Sequence, residues 1–434
     1  MPIWNPEYET MAREQLAELQ LRRLQSTVAW VYERVPHYRA ELDRRGVKPR
    51  DIKSLDDVRL LPMTDKTALR DTYPFGMFAV PLEEVVRVHS SSGTTGKPIV
   101  VGYTKGDLNT WSELTARIAS EAGVTSADRV QMAFLYGMFT GGWGMHYGME
   151  RIGATVFPAG SGNTERHLMM MQDFGTTAIV GTPSYALYMA EVAEKAGIDI
   201  TSLPLRVGLF GGEPSGEGMR DEIQTRLGIL ATDNYGLSEV MGPGVSGECE
   251  HQCGLHMAED HFLFEVVNPE TGEPVSEGEE GELIITTLTK EAFPVLRYRT
   301  HDLTVIDSAP CECGRTLARM RKVRMRTDDM LIIRGVNVFP SQIEDALFQI
   351  EGIEPHYLIV VDRDGAMDDL EVRIEVAEEI FSDVMADMVA FTKRVAERIF
   401  SVVGLHAKVT LVEPGTIERT VGKARHVVDN RRVE

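Results

Sequence analysis

The sequence predicts an α/β protein with a large, multi-sheet N-terminal domain over residues 1–327 and a small α+β domain over 328–434. Three observations carry that expectation. Between about residues 85 and 235, short apolar runs alternate with helical patterns, as in a parallel sheet covered by helices on both faces. Residues 261–307 change to strand–turn–strand, with turns at Asn268-Pro269 and Glu270-Thr271-Gly272. Past Asp328 helices and strands mix again. A length of 434 residues itself implies two or three units.

Taken in order, Leu16, Leu24, Val28, Val31 and Val35 recur at helical spacing, which predicts a helix over 11–35 ended by Pro36. The apolar runs 129–135, 154–157, 177–181 and 205–210 read as strands, and 107–122, 165–173 and 184–197 read as helices. Beyond the boundary we expect a helix near 341–350, strands near 355–362 and 370–376, a helix over 383–399 and a strand over 406–412.

A net charge of −21 and a pI near 5.0 argue against nucleic acid or an anionic membrane as the main partner. No apolar run approaches the ~18 residues of a membrane span. Met1–Thr10 has no basic stretch leading into an apolar one, so no secretory signal is expected and the cytoplasm is the expected location. All four cysteines fall between 249 and 313, too few for a disulfide framework and clustered as metal ligands or reactive thiols would be.

Ser90-Ser91-Ser92-Gly93-Thr94-Thr95-Gly96-Lys97 lies between the strand-forming stretches Val85–Val88 and Ile99–Tyr103. Two glycines free the backbone N–H groups, while five hydroxyls and one ammonium enter the same space; that suits a nucleotide's phosphates. It is not a Walker loop, since Ser91 stands where the first glycine belongs and Pro98 follows the lysine. Phe210-Gly211-Gly212-Glu213-Pro214 ends an apolar strand, where a flat ring can lie on the backbone. In Asp233-Asn234-Tyr235-Gly236-Leu237-Ser238-Glu239, Tyr235 can stack on a base and Glu239 suits Mg²⁺; the plain alternative is a helix start capped by Ser238. Asp302 can accept from both ribose hydroxyls. The basic run Arg315, Arg319, Arg321, Lys322, Arg324 and Arg326, in an acidic chain, is a candidate for anionic ligands.

In this order, these segments resemble the adenylate-forming ligases, and within them the phenylacetate–CoA ligase family. The likeness spans nearly the whole chain, through Tyr73–Gly76, Tyr235–Gly244, Leu288–Ala292, Arg297–Thr300, Asp328–Pro340 and Gly422–Ala424. The resemblance implies that an aromatic carboxylate attacks the α-phosphate of ATP, and that the thiol of coenzyme A then displaces AMP. It places Ser90–Lys97 on the β- and γ-phosphates, and Gly212, Glu213, Pro214, Asp233 and Tyr235 around adenine. Asp302 and Arg326 go to ribose or phosphate, Glu239 to Mg²⁺, and Lys423 to the transferring group. It makes the C-terminal domain mobile about a hinge at Asp328, with Arg334 and Gly335 on the coenzyme A channel. It also implies an aryl-acid pocket of Tyr136, Phe139, Gly211, Gly212 and Met241, and a homodimer.

Cys249, Cys253, His256, Cys311 and Cys313 offer five soft ligands at spacings compatible with tetrahedral zinc. The resemblance implies Cys249, His256, Cys311 and Cys313 as a structural zinc set, with Cys253 able to replace His256. Two departures stand out. Met325 occupies a position where relatives have glycine, and Phe-Gly-Gly-Glu-Pro-Ser replaces Phe-Gly-Ala-Glu-Pro-Trp. If Gly212 lines the pocket, the missing methyl opens space worth about 0.8 kcal/mol of contact, which makes an amino- or hydroxybenzoate such as anthranilate a rival to phenylacetate. A separate carrier protein's phosphopantetheine arm is the alternative acceptor.

Overall fold

The computed structural model describes residues 3–91, 97–334, 336–364, 367–377, 385–419 and 426–431. Helices α1 (Pro6–Glu9), α2 (Arg13–Arg34), α3 (Pro36–Arg45) and α4 (Lys66–Asp71) open the chain. The 11–35 expectation holds: α2 buries Leu16, Leu24, Val28 and Val31, and Pro36 stops it and begins α3 at a position where no N–H is needed. Next come β1 (Arg87–Ser90), β2 (Val100–Tyr103), α5 (Lys105–Glu121), β3 (Arg129–Met132), α6 (Thr140–Ile152), β4 (Thr155–Phe157) and α7 (Thr164–Phe174). Then follow β5 (Ala178–Gly181), α8 (Pro183–Lys195), β6 (Val207–Gly211), α9 (Glu217–Leu227) and β7 (Leu230–Tyr235). Short strands take over: β8 (Ser246–Glu248), β9 (Leu255–Met257), β10 (Phe262–Val267), β11 (Gly281–Thr287), β12 (Tyr298–Thr304), β13 (Ile306–Asp307), β14 (Arg319–Met320) and β15 (Met325–Arg326). The chain closes with β16 (Leu331–Ile333), β17 (Val336–Val338), α10 (Pro340–Leu347), β18 (Ile353–Asp364), β19 (Met367–Val376), α11 (Met385–Val403), β20 (Lys408–Val412) and β21 (Val427–Asp429).

Two compact units result. One gathers Met1–Gly181, Leu203–Gly212 and Leu230–Lys322; the other gathers Thr182–Ser202, Glu213–Ile229 and Val323–Glu434. In the first, a nine-stranded sheet runs β13-β14-β9-β8-β7-β6-β5-β3-β4. Only β4, β3, β5, β6 and β7 are parallel, as expected of runs joined by helical crossovers. The other four strands, which lie past residue 235 and outside the predicted alternation, are antiparallel. Ile118 and Ala119 of α5, with Met145 and Met149 of α6, pack on Val130, Met132, Val180 and Leu209 of the strands. The two helices cross closely because α6 carries Gly144 over the Trp111 ring and Gly148 over Thr115; a Cβ at Gly148 would lie 2.4 Å from the Thr115 hydroxyl.

Strands β1 and β2 form an antiparallel hairpin, with Ser90 opposite Val100. In the second unit, β20-β19-β18-β21 form a mixed sheet. Ile343 and Leu347 of α10, and Phe391, Val395 and Ile399 of α11, share its core with Ile359, Val361, Val372 and Ile374. Among the described residues, no helix is long and apolar enough to cross a membrane.

Candidate active site

The predicted phosphate segment starts at the end of β1. The Ser90 N–H donates to the Met138 carbonyl at 3.1 Å, and the Ser91 N–H to the Ile99 carbonyl at 3.0 Å. The Ile99 N–H donates back to the Ser91 hydroxyl at 3.1 Å, closing the neck of the loop. Ser92, Gly93, Thr94, Thr95 and Gly96 lie outside the described residues, as do Gly335 and Lys423. Lys97 holds its ammonium 5.2 Å from the Tyr73 ring centre.

At the end of β6, Gly211 is required by its neighbour strand: a Cβ there would stand 2.5 Å from the Asn234 carbonyl oxygen. The Asn234 side chain donates to the Phe210 carbonyl at 2.6 Å and locks β6 to β7. Gly212 follows at φ +84, a conformation that side chains disfavour, so its missing methyl serves the backbone as well as any pocket. Glu213 and Pro214 begin a segment of the second unit, where Glu213 accepts the Ser184 N–H at 2.7 Å.

Strand β7 delivers Asp233, whose carboxylate lies 3.6 Å from the Lys322 ammonium, and Tyr235, whose hydroxyl donates to the Asp302 carboxylate at 2.5 Å. Asp302 sits on β12 and is 1% exposed. The segment after Tyr235 is no helix start, which corrects the plain alternative. Leu237 O accepts from the N–H groups of Val240, Met241 and Gly242, and Gly236 and Gly242 approach so closely that a Cβ on Gly236 would lie 2.6 Å from the Gly242 Cα. That turn buries Glu239 to 6% exposure, and its carboxylate forms no hydrogen bond or ion pair among the described residues. A buried carboxylate without a cation is costly, and a hard oxygen ligand of this kind fits Mg²⁺. Ser238 and Thr140 share a 3.0 Å hydroxyl contact.

Tyr136 and Phe139 lie between β3 and α6, Phe139 at the helix N-cap. Tyr136 packs edge-on against Trp143 and His146, at ring separations of 5.1 and 5.8 Å. Its hydroxyl meets His146 Nδ1 at 3.0 Å, and His146 Nε2 lies 3.2 Å from Glu150. Burial pushes the Tyr136 hydroxyl above the usual phenol range. Tyr147 stacks on Trp143, and the Arg87 guanidinium covers both rings. Met241 receives an unexpected neighbour: Lys290 Nζ lies 3.9 Å from its sulfur and 3.6 Å from the Tyr103 ring centre. Lys290 is 4% exposed and forms no ion pair among the described residues; burial pushes its ammonium down to about 8. Sequence reasoning assigned no role to Lys290, Trp143, His146 or Arg87. The signal for Lys290 was a charged residue inside the Leu288–Ala292 segment, and only burial distinguishes it from a solvated lysine.

In the second unit, Arg326 forks onto Asp328 with hydrogen bonds of 2.9 and 3.1 Å, so the predicted ribose or phosphate arginine grips the predicted hinge residue. Arg334, at φ +51, donates to the Asp368 carbonyl at 2.6 Å and to Asp369 at 2.7 Å. Three others of the basic run are engaged by acids of the chain itself. Arg315 is buried against Glu9 at 2.6 Å, Arg319 pairs with Asp307 at 2.9 Å, and Arg324 pairs with Glu217 at 3.1 Å. Burial also pushes the Glu121 carboxyl beside Arg315 up to about 7.

The four predicted metal ligands converge. Cys249 follows β8, His256 lies on β9, and Cys311 and Cys313 lie between β13 and β14; their ligand atoms all fall within 4.8 Å of one another. Cys249 and Cys311 sulfurs are 3.8 Å apart, and Cys313 Sγ is 3.3 Å from His256 Nε2. Ligands of one tetrahedral zinc stand roughly 3.3–3.8 Å apart, so three sulfurs and one imidazole here fit that ion.

The family model described as AMP-binding enzyme matches residues 21–289, and the one described as AMP-binding enzyme C-terminal domain matches 335–431. A phenylacetate-coenzyme A ligase of Thermus thermophilus is 50% identical over 99% of this chain and all of its own. One from Escherichia coli is 48% identical, covering 98% of this chain and 97% of that protein. A solved 2-hydroxyisobutyryl-CoA ligase, described as in the postadenylation state with R3-HIB-AMP, superposes with a TM-score of 0.92 at 32% identity over 98% of this chain and 92% of that one. Fold and site thus define the class of AMP-forming acid–CoA ligases, which use ATP and coenzyme A and pass through an acyl-adenylate. Within that class, the chain belongs to the phenylacetate–coenzyme A ligase family.

Proposed function

We propose that the acid is aromatic, phenylacetate or a ring-substituted benzoate such as anthranilate, and that free coenzyme A is the acceptor. The observation that carries the aromatic assignment is the group Tyr136, Trp143, His146 and Tyr147, whose edges and faces form a surface for another ring. Phe139, Gly211, Gly212 and Met241 would complete the pocket. Relatives of 45–50% identity named for phenylacetate support the same reading.

In this reading, Ser90–Lys97 cradles the β- and γ-phosphates, and Gly212, Glu213, Pro214 and Asp233 border adenine, with Tyr235 stacked on it. Tyr235 also holds Asp302 in place to accept from the ribose hydroxyls. Glu239 would hold Mg²⁺, which neutralises phosphate charge. Lys423 brings its point charge to the oxygens on which charge builds as the carboxylate attacks the α-phosphate. The domains divide as 1–327 and 328–434, hinged at Asp328, so that Lys423 withdraws before Arg334 and Gly335 border the arriving thiol. Cys249, His256, Cys311 and Cys313 would hold a structural zinc that ties the β8–β9 turn to the β13–β14 loop. A homodimer, as the family resemblance implies, completes the proposal.

The test is mass spectrometry of products from ATP, Mg²⁺, coenzyme A and a panel of phenylacetate, benzoate, anthranilate and hydroxybenzoates, with Lys423→Ala in parallel. An aryl-CoA thioester from one acid, lost in the variant, supports the reading. Aryl-adenylate without thioester would transfer the acceptor role to a carrier protein. Neither product from any aryl acid, with turnover of an aliphatic one, overturns the aromatic assignment.

A further inference from the structure

Cys253 lies outside the four-ligand set, yet its sulfur is 3.5 Å from Cys311 Sγ, closer than Cys249 Sγ at 3.8 Å. It is exposed, whereas Cys249 and Cys311 are buried. The local backbone places it there. The Gln252 N–H bonds to the Cys249 carbonyl at 3.0 Å, Gln252 is left-handed at φ 50, and Gly254 follows at φ 116, so the chain doubles back over the cluster. Arg319 then fixes the sulfur: its Nη1 donates to the Cys253 carbonyl at 2.9 Å and to Cys253 Sγ at 2.8 Å, while Nη2 is anchored on Asp307.

We propose that Cys253 is an oxidation site that couples peroxide to the metal cluster by forming a disulfide with Cys311. The Cys253 sulfur attacks one oxygen of a peroxide, the O–O bond breaks, and the departing oxygen leaves as water with the thiol proton. The product is a sulfenic acid. The Cys311 sulfur attacks the Cys253 sulfur and the S–O bond breaks; the departing hydroxide leaves as water with the Cys311 thiol proton, or with a proton from solvent where Cys311 is a zinc-bound thiolate. Each sulfur gives up one electron and the peroxide accepts two. The sulfurs must close from 3.5 Å to about 2.05 Å, which an exposed turn residue supplies by small rotation. Cys311 is then lost as a ligand, leaving Cys249, His256 and Cys313, a three-ligand set that holds zinc less tightly. The loss of zinc rests on the zinc reading above; the disulfide does not.

The experiment treats the full-length protein as purified with graded hydrogen peroxide. Peptides alkylated without reduction are mapped by mass spectrometry, zinc release is followed with a chromogenic chelator, and Cys253→Ser runs in parallel. We expect a Cys253–Cys311 linked peptide, reversed by dithiothreitol, with one zinc released per disulfide, and at least ten times more peroxide needed to release zinc from Cys253→Ser. A Cys249–Cys311 link in place of the expected pair, a Cys253 that remains a thiol, or equal zinc release from both proteins overturns the proposal. Protein purified without zinc refutes the zinc reading alone, and the linked peptide then decides this one.

Discussion

The Tyr235 hydroxyl donates to the Asp302 carboxylate at 2.5 Å, joining the end of β7 to the interior of β12, a strand that begins 63 residues further on at Tyr298. A hydrogen bond to a buried charge contributes about 1.5–3 kcal/mol, or roughly 10–150-fold. Tyr235→Phe should therefore lower kcat/KM for ATP by about tenfold or more in a pyrophosphate-release assay, and Asp302→Asn by more, since it also loses the charge. An Asp302→Asn enzyme with unchanged kcat/KM for ATP would remove Asp302 from the nucleotide site.

Glu239 is a buried carboxylate whose natural complement is a cation. Glu239→Gln should raise the Mg²⁺ concentration for half-maximal pyrophosphate release by at least tenfold. It should leave the melting temperature of the ligand-free protein equal or higher, because a neutral amide is cheaper to bury. A lowered melting temperature with an unchanged Mg²⁺ requirement would mark Glu239 as structural.

Lys290 releases its proton near 8, where an ordinary lysine does so near 10.5. Between those pH values the unfolded chain holds more protons than the folded one, so stability rises with pH. The burden of burying the cation, about 3 kcal/mol, is present in full below pH 8 and gone above 10.5. Lys290→Met should therefore be more stable than the parent at pH 7 by about 1–3 kcal/mol, and the gap should close by pH 10.5. Urea titrations at both pH values measure it, and a gap independent of pH refutes the buried charge.

Metal removal should separate structure from chemistry. Chelator treatment that strips zinc, or Cys249→Ser, should lower the melting temperature by several degrees while initial rates at low temperature change less than twofold. Elemental analysis alongside calorimetry checks this. A proportional loss of rate with zinc would give the ion a catalytic part.

The crossing of α5 and α6 should be intolerant of volume. Gly148→Val places a side chain into the Thr115 hydroxyl and should destabilise the protein by about 1–3 kcal/mol, while Gly160→Ala, with nothing nearby, tests only its φ of +81.

The parallel half of the large sheet was legible because β3, β5 and β6 are apolar runs separated by helical periodicity, a local pattern. The antiparallel half was not, since β8, β9, β13 and β14 are two or three residues long and carry no period of their own. Their pairing is antiparallel and joins segments on either side of the four-residue Cys/His group. The partners of the basic run were not legible for a related reason: charge in a sequence does not reveal that Glu9 and Asp307 stand opposite Arg315 and Arg319.

The sequence by itself determined which residues are candidates for the chemistry: the hydroxyl and glycine loop at 90–97, Tyr235, Glu239, Asp302, and soft ligands at 249, 253, 256, 311 and 313. Composition and local spacing record these, because loops and strand ends are specified by their own residues. Tertiary structure decided the rest. It brought His256 together with Cys249, Cys311 and Cys313, set Cys253 against Cys311, and buried Lys290 beside Met241. Each of these depends on distance through space between segments remote in the chain or on burial, and neither is encoded in any short window of sequence.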